Sequence, residues 1–313
     1  MSATTTAPRR RRIVARPGTW FMWGILIFFF VNLFAAVGAV VVKSFAVQWF
    51  GTWWPDAGLT TRFYTEAWDA ADLWSVMVVT LEVAAAVVVI SVLIGVPAAY
   101  ALARRTFPFK RLAMFLFLLP IMVPPIAYGI PLATALYKVG LGGTLTGVIV
   151  ANLVPSVPFV VLTMTPFIEQ IDPKIESAAR MCGATTRAIF VRVLFPLLMP
   201  GMLAAAILVL VRTVGMFELT YLTSSFDTNT LVVVLYNEMS AAGIRAPQRT
   251  DAMAVIYMVW MLTLLLIALR FVNPTQLVTR VADPDDADGE LSGNRLSAPT
   301  DGQPREMTAD KML

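Results

Sequence analysis

Six long apolar segments constrain the fold of this chain more than any other feature of its sequence. A helix needs about 20 mainly apolar residues to cross a hydrocarbon core of roughly 30 Å. Within that core the backbone polar groups must bond to one another, and a helix satisfies them inside a single segment. We therefore predict an all-α, polytopic membrane protein whose six transmembrane helices lie at roughly residues 20–42, 74–102, 112–136, 144–168, 198–222 and 252–271.

The composition excludes several other classes of protein. Of the 313 residues, 58% are hydrophobic and 14% are charged, which is more apolar surface than a water-soluble chain of this size can bury. The net charge of +4 is distributed among loops, which indicates contact with membrane lipid and not with nucleic acid. A single cysteine excludes an internal disulfide, and the lack of histidine excludes a histidine-based metal site or catalytic triad. We predict no cofactor and no enzymatic activity, since no soluble catalytic domain is left once the spans are assigned.

The distribution of positive charge predicts the orientation in the membrane. With a cytoplasmic N-terminus, most lysines and arginines fall on the inner side, where membrane proteins concentrate them. The outer segments then hold only Lys43, Arg62, Lys138, Arg245 and Arg249. We therefore predict a multi-pass protein of the cell (inner) membrane with both termini, and the loop between the fourth and fifth spans, in the cytoplasm.

The chain divides into three parts. A basic cytoplasmic segment at residues 1–18 precedes a transmembrane domain at 19–272, and residues 273–313 form a tail rich in Asp, Gly, Ser and Pro that is predicted to be disordered. A cleaved signal peptide is the alternative for the N-terminus. The apolar run from Trp20 to Val42 is too long for one and lacks a small-residue cleavage site.

A polar, basic segment separates the fourth and fifth predicted spans. Asp172 is a predicted helix N-cap, and Gly183 is predicted to end that helix with a positive φ. Thr185 or Thr186 then caps a second helix, which Pro196 is predicted to end. Two short helices joined at a glycine form a compact surface for docking a partner. An amphipathic loop lying on the membrane is the alternative interpretation.

The sequence lacks a motif for binding and hydrolysing ATP. It contains no G-x-x-x-x-G-K-[ST] motif, so it does not bind ATP through a P-loop, and energy from ATP has to come from a separate subunit. No internal repeat is found, which counts against a secondary transporter built from duplicated halves. An ATP-independent transporter or channel, or a purely structural membrane protein, remains the alternative.

The segment at residues 170–196 resembles the coupling loop of ABC-importer permeases, in which Glu-Ala-Ala is followed by three residues, Gly, nine residues and Ile-x-Leu-Pro. The matching positions are Ala178, Ala179, Gly183, Val193, Phe195 and Pro196. Ser177 stands at the motif's glutamate position, with Glu176 one residue earlier, and Cys182 stands where an acidic residue is often found. The resemblance implies that coupling to the ATPase involves Glu176, Ser177, Ala178, Ala179, Gly183 and Pro196.

The resemblance extends over roughly residues 20–272 and is greatest to spermidine/putrescine-type permeases, in the stretches TRFYTEAW, LLPIMVPP, PFVVLT and TLVVVLYNEMS. It implies the fold of a type I ABC importer permease and a polyamine-like cargo. The implied partners are a homologous second permease in a hetero-dimer, two ATP-binding subunits and an extracytoplasmic solute-binding protein. ATP-driven closure of the ATPases would open the paired permeases outward, and hydrolysis would reset them.

Charged and polar side chains within the spans are the candidate residues of a translocation pathway. An arginine at mid-membrane costs about 2.5–3.5 kcal/mol on insertion scales, so it faces protein or water. The candidates are Glu82, Tyr128, Asn152, Arg212 and Glu218. The alternative roles are a structural ion pair of Arg212, with Glu82 or with the second permease, and plain kinks at the nearby prolines. Because Arg212 partly balances the two acids, these residues favour a neutral or zwitterionic cargo, such as a polyol or sugar, over a polycation.

Overall fold

The computed structural model describes residues 17–49, 54–55, 58–241 and 246–270. These residues form helices joined by short connections, and extended pairing among them is limited to a bridge between Ala46 and Leu59. The prediction of an all-α chain is therefore confirmed. The helices are α1 (Pro17–Phe45), α2 (Arg62–Ala70), α3 (Leu73–Arg104), α4 (Lys110–Met122), α5 (Pro125–Lys138), α6 (Leu145–Glu169), α7 (Pro173–Met181), α8 (Thr186–Ile189), α9 (Phe195–Val214), α10 (Glu218–Thr223), α11 (Leu231–Ser240) and α12 (Pro247–Arg270).

The number of spans agrees with the prediction. In the described part of the chain, five helices are long and apolar enough to cross a membrane, and the bent pair of α4 and α5 makes a sixth if it counts as one span. The five are α1, α3, α6, α12 and a continuous helix at Thr186–Val214.

The third span is not the single helix predicted at 112–136. It consists of α4 and α5, whose axes differ by 99°. Pro124 precedes Pro125 and has φ −55° and ψ 133°, as expected for a residue that a following proline keeps out of the helical region. Because both prolines also lack an N–H group, the helix breaks here instead of only kinking.

The fifth span also differs from its prediction at 198–222. The helix begins at Thr186, inside the polar loop, and ends at Val214. The sequence predicts that Pro196 ends the second helix of the loop, and this prediction is wrong. Pro196 lies in the first turn of α9. A π-helical turn at Phe190–Leu194 comes just before it, and the N–H of Phe195 donates to the carbonyl of Phe190. This wider turn accommodates the proline without breaking the helix. The polar loop is thus continuous with a helix long and apolar enough to cross a membrane.

The main core lies where α3, α6 and α9 pack together. It contains fully buried side chains from all three helices, among them Val87, Val160 and Val209. Ile189 and Leu194, from the second half of the polar loop, belong to the same cluster. The loop is therefore fastened to the transmembrane core. The predicted basic segment at 1–18 lies almost wholly outside the described residues, and the predicted tail at 273–313 lies entirely outside them.

Candidate functional site

The helix–glycine–helix motif of the polar loop has the predicted local structure. The Asp172 carboxylate accepts a hydrogen bond from the N–H of Lys174 at 2.8 Å, which caps α7. Gly183 has φ +80°, and its N–H donates to the carbonyl of Arg180 at 2.9 Å. Thr185 caps α8 by accepting from the N–H of Ala188 at 3.3 Å. The glycine is needed because only it adopts this left-handed conformation without strain.

The outer surface of this loop is cationic and partly apolar. Ser177, Ala178 and Gly183 are exposed, as a docking surface requires, whereas Ala179 is half-buried against the core. Met181 is 84% exposed at the end of α7 and adds an apolar side chain to this surface. The exposed cations of the loop are Lys174, Arg180, Arg187 and Arg192. Such a surface suits a partner with an acidic rim and an apolar centre.

Glu176 lies on the opposite face of α7 and points into the protein. Glu176 is only 7% exposed. One carboxylate oxygen forms an ion pair with Arg104 Nε at 2.9 Å, and the other accepts a hydrogen bond from the Tyr100 hydroxyl at 2.8 Å. Arg104 and Tyr100 both belong to α3, and the Arg104 guanidinium also donates to the backbone carbonyl of Ile171. The carboxylate of Glu176 is thus engaged by residues of the same chain.

Arg104 and Tyr100 are absent from the site residues predicted from the sequence. Tyr100 and Glu176 are 76 residues apart, so no local pattern links them. The signal in the sequence is charge alone: Glu176 lies in a basic loop, and the predicted span at 74–102 is followed by Arg104 and Arg105.

A second group of polar residues lies where α5 and α10 meet near the end of α9. Arg212 and Glu218 both act electrostatically on Tyr128. The Tyr128 hydroxyl is enclosed and has no hydrogen-bond partner among the described residues. The Arg212 guanidinium lies 5.6 Å from the centroid of the Phe159 ring, within the range of a cation–π contact. Among the described residues, no carboxylate comes within 4.0 Å of Arg212.

Asn152 joins this group as a buried tie between helices. It is 1% exposed, and its amide donates to Val148 O at 2.9 Å and to the Thr220 hydroxyl of α10 at 3.1 Å. Its own side-chain oxygen has no partner among the described residues. The structure therefore brings together four of the five predicted pathway residues.

Glu82 is the predicted pathway residue that stays apart. It lies on the exposed face of α3 and forms no ion pair with Arg212 in the described part of the chain. The ion pair of Arg212 with Glu82 considered from the sequence is therefore not formed, whereas a pairing of Arg212 with the second permease stays a prediction. A carboxylate on the outside of a membrane helix calls for a protein or water neighbour.

The family follows from a match that covers more than half of the chain. Residues 91–276 match the family model described as "Binding-protein-dependent transport system inner membrane component". The chain belongs to this family. The matched region begins within α3 and includes the loop from α7 to the π-helical turn, the polar group around Arg212 and α12, so this permease is an inner-membrane component of a binding-protein-dependent transport system.

Several permeases of known systems are similar in sequence. The trehalose transport permease SugB of Mycobacterium tuberculosis is 36% identical over 159 residues, which cover 51% of this chain and 53%, or about half, of SugB. A probable molybdenum ABC transporter permease of Haloferax volcanii is 29% identical over 253 residues, covering 76% of this chain and 87% of that protein. The molybdenum permease ModB of Escherichia coli is 28% identical over 186 residues, covering 54% and 81%.

Solved structures support the fold. A bacterial ABC transporter involved in the import of the acidic polysaccharide alginate matches with a TM-score of 0.65 at 16% identity, over 90% of this chain and 100% of that one. The alginate transporter in complex with an alginate pentasaccharide-bound periplasmic protein matches with a TM-score of 0.60 at 15% identity, over 80% and 93%. The predicted fold of an ABC-importer permease is thereby confirmed.

Two finer predictions gain no support from these comparisons. The similar proteins are named for trehalose, molybdenum and sulfate transport, so the spermidine/putrescine type inferred from the resemblance is not supported. A multi-pass location in the inner membrane agrees with the family, whereas the orientation of the termini stays a prediction.

Proposed function

We propose that this permease forms half of the translocation pathway of an ATP-driven importer and receives its drive through the loop from α7 to the π-helical turn. The exposed helix–glycine–helix surface is the observation that carries the proposal. Its second half begins a helix that runs from Thr186 to Val214, so movement of the loop is passed into the membrane along one continuous helix. Ser177, Ala178, Ala179, Gly183 and Pro196 belong to this surface or to its junction with α9.

The partners are a second, homologous permease, two ATP-binding subunits and an extracytoplasmic solute-binding protein. The sequence has no P-loop, so the ATPase has to be separate. The exposed cations of the loop fit acidic residues on that ATPase. Glu82, exposed on α3, fits a position against the second permease, where a carboxylate escapes contact with lipid.

The mechanism is alternating access. ATP draws the two ATPases together, the docking loops move with them, and the paired permeases open toward the binding protein. Hydrolysis restores the inward-facing state. To reverse an equilibrium from 1:99 to 99:1, ATP has to bind the outward state about 5.5 kcal/mol more tightly than the inward state.

The cargo is a small solute rich in hydrogen-bond acceptors. A guanidinium is a donor without acceptor capacity, so Arg212 attracts oxyanions, carboxylates and hydroxyl oxygens and repels ammonium groups. Tyr128 and Asn152 add polar atoms without partners among the described residues. Similar permeases that are named for molybdenum, sulfate and trehalose transport agree with such a cargo, and a polyamine does not.

The test is uptake by the whole importer complex in proteoliposomes. Molybdate, sulfate, trehalose and spermidine are each supplied with the solute-binding protein of the same importer, whose own ligand is identified by calorimetry. We expect uptake to require ATP on the side of the membrane that carries the ATPase subunits. Uptake should disappear when the ATPase is catalytically inactive. Uptake that continues with the inactive ATPase would point instead to a secondary transporter or channel, and efficient uptake of spermidine alone would overturn the cargo class.

A further inference from the structure

We infer that Glu176 is a positioning residue that ties the docking helix α7 to the cytoplasmic end of α3, and that it is not a contact to the ATPase. The inference rests on the proposed function, since it assigns how the loop transmits motion. A carboxylate on α7 that served the ATPase would lie on the exposed side with Ala178 and Met181. Glu176 lies on the other side and is 7% exposed.

Both oxygens of the Glu176 carboxylate are engaged by α3. Arg104 Nε is 2.9 Å from one oxygen, with side chains of the pair only 13% and 9% exposed. The Tyr100 hydroxyl donates to the other oxygen at 2.8 Å. The Tyr100 hydrogen bond fixes the direction of the carboxylate, and the contact with Arg104 Nε is an ion pair without hydrogen-bond geometry that holds its position. For the Glu176 carboxylate to reach the ATPase surface, it would have to break its contacts with both Arg104 and Tyr100.

Arg104 also holds the connection that leads into α7. Its guanidinium donates to the carbonyl of Ile171, the residue before the Asp172 cap. Ile171 is itself buried and belongs to the main core. Arg104 therefore fixes the entry of the docking helix and, through Glu176, the body of that helix. The two attachments prevent α7 from pivoting about its N-terminus without moving α3.

The same end of α3 contacts the second half of the loop. The Tyr100 ring lies edge-on to Phe190, with ring centroids 5.6 Å apart and an angle of 75° between the planes. Phe190 begins the π-helical turn. Tyr100 therefore touches both halves of the docking loop, one through its hydroxyl and the other through its ring. A push on either half is passed to α3, which packs against α6 and α9 in the core.

A cluster that only helped the protein to fold would have a different signature from one that transmits motion. Loss of a folding contact lowers the amount of complex, and with it ATP hydrolysis and uptake in proportion. Loss of a transmission contact leaves the ATPases bound and active while uptake falls. The ratio of solute molecules imported to ATP molecules hydrolysed separates the two.

The experiment measures this ratio for the intact importer complex in proteoliposomes, using the solute that the wild-type complex imports. In E176Q and R104Q we expect the ratio to fall roughly tenfold, the scale of losing a charge-assisted hydrogen bond, with the ATPases still co-purifying. Matched controls are E169Q and R105Q, which change exposed neighbours of the same chemistry and should stay within about twofold. The exchange R104E with E176R should recover part of the ratio that each single change loses.

Three outcomes bear against the inference. A wild-type ratio in E176Q would overturn it, and so would loss of the ATPases from an otherwise well-folded E176Q complex, since that would make Glu176 a contact to the ATPase. If E176Q fails to fold, Y100F decides, because it removes one hydroxyl and keeps the ring: a lowered ratio supports the inference and an unchanged ratio overturns it. A wild-type complex without ATP-dependent uptake would overturn the proposed function as well, which is a distinct result.

Discussion

Gly95 of α3 and Val160 of α6 meet so closely that no side chain fits between them. A Cβ atom placed on Gly95 would lie 2.7 Å from both Cβ and a Cγ atom of Val160, which is fully buried. Since Val160 is branched at Cβ and held by the core, it has no flexible end to move aside. This contact sets the distance between the two helices at the centre of the permease.

Gly95→Ala should therefore destabilise the permease. We expect a loss of about 1–3 kcal/mol, the usual cost of overpacking a core, measured as a lower midpoint in thermal unfolding of the purified complex. Val160→Ala in the same chain should restore part of that loss, because it removes the atoms that the new methyl group meets.

Gly38→Ala is the matched control for this change. Gly38 also lies in a long apolar helix, but no atom of the described residues comes within 4 Å of its added Cβ. Alanine is the better helix former by about 1 kcal/mol, so this variant should be as stable as the wild type or more so. Equal stability of Gly95→Ala and Gly38→Ala would contradict the close contact.

Gly183 is required for its backbone conformation and not because neighbouring atoms exclude a side chain. Its φ is +80°, and among the described residues nothing lies within 4 Å of an added Cβ. A bulky residue thus fits sterically, and the cost is the left-handed conformation, about 1–2 kcal/mol for most residues and less for asparagine. We expect uptake per ATP to decrease in the order wild type, Gly183→Asn, Gly183→Ala, Gly183→Pro. Proline should abolish it, because it cannot adopt a positive φ and loses the N–H bond to Arg180.

Gly140 provides the control for conformational strain alone. It has φ +76° and an equally open surrounding among the described residues, but it lies beyond α5, at the end of α6 opposite to the docking loop. Gly140→Ala should cost a similar amount of stability and leave uptake per ATP unchanged. If both alanine variants uncoupled hydrolysis from uptake equally, Gly183 would have no special part in coupling.

The sequence predicts the number of spans and the helix–glycine–helix loop because these depend on local features. Apolar length decides a span, and Asp172, Gly183 and Thr185 carry their capping chemistry with them. The positions of proline breaks are predicted less well. Pro124 and Pro125 break the third span, whereas Pro196 is accommodated by the π-helical turn before it. Whether a proline breaks a helix depends on whether the neighbouring backbone can rearrange around it. The local sequence does not predict that rearrangement.

Contacts between distant segments account for what the sequence misses at the candidate site. The motif places Glu176 with the docking residues, but its direction depends on where the end of α3 lies. Likewise, the opposite charges of Arg212 and Glu82 make their pairing one of the alternatives that the sequence allows. The packing of α3 instead leaves Glu82 on its outer face, and Arg212 lies over the ring of Phe159.

Cys182 offers a direct measurement of the predicted orientation. It is the single cysteine of the sequence and lies exposed at the end of α7. We expect a membrane-impermeant maleimide to label it in inverted vesicles and not in right-side-out vesicles, because the docking loop is predicted to be cytoplasmic. Bound ATPase subunits should protect it from labelling.

The control for this labelling uses a cysteine at the other end of the permease. Phe226 is 93% exposed in the turn after α10. In the double variant C182S/F226C, labelling should show the opposite sidedness, and C182S alone should remain unlabelled. Reaction of Cys182 in right-side-out vesicles would place the docking loop outside the cell and remove the basis for coupling to a cytoplasmic ATPase.

Arg212 allows the pathway role to be separated from a structural role. If its guanidinium contacts the cargo, Arg212→Gln should reduce uptake of an acceptor-rich solute roughly tenfold to a hundredfold, since a hydrogen bond to a charged group contributes about 1.5–3 kcal/mol and about 1.4 kcal/mol corresponds to a factor of ten. Arg212→Lys keeps the charge and should retain part of the uptake. Thermal unfolding should change little in both variants, because the side chain is half-buried and has no carboxylate partner within 4.0 Å among the described residues. Arg270→Gln, at the exposed end of α12, should leave uptake and unfolding unchanged. A structural role would instead lower the unfolding midpoint of Arg212→Gln and leave the apparent affinity for the solute as it is in the wild type.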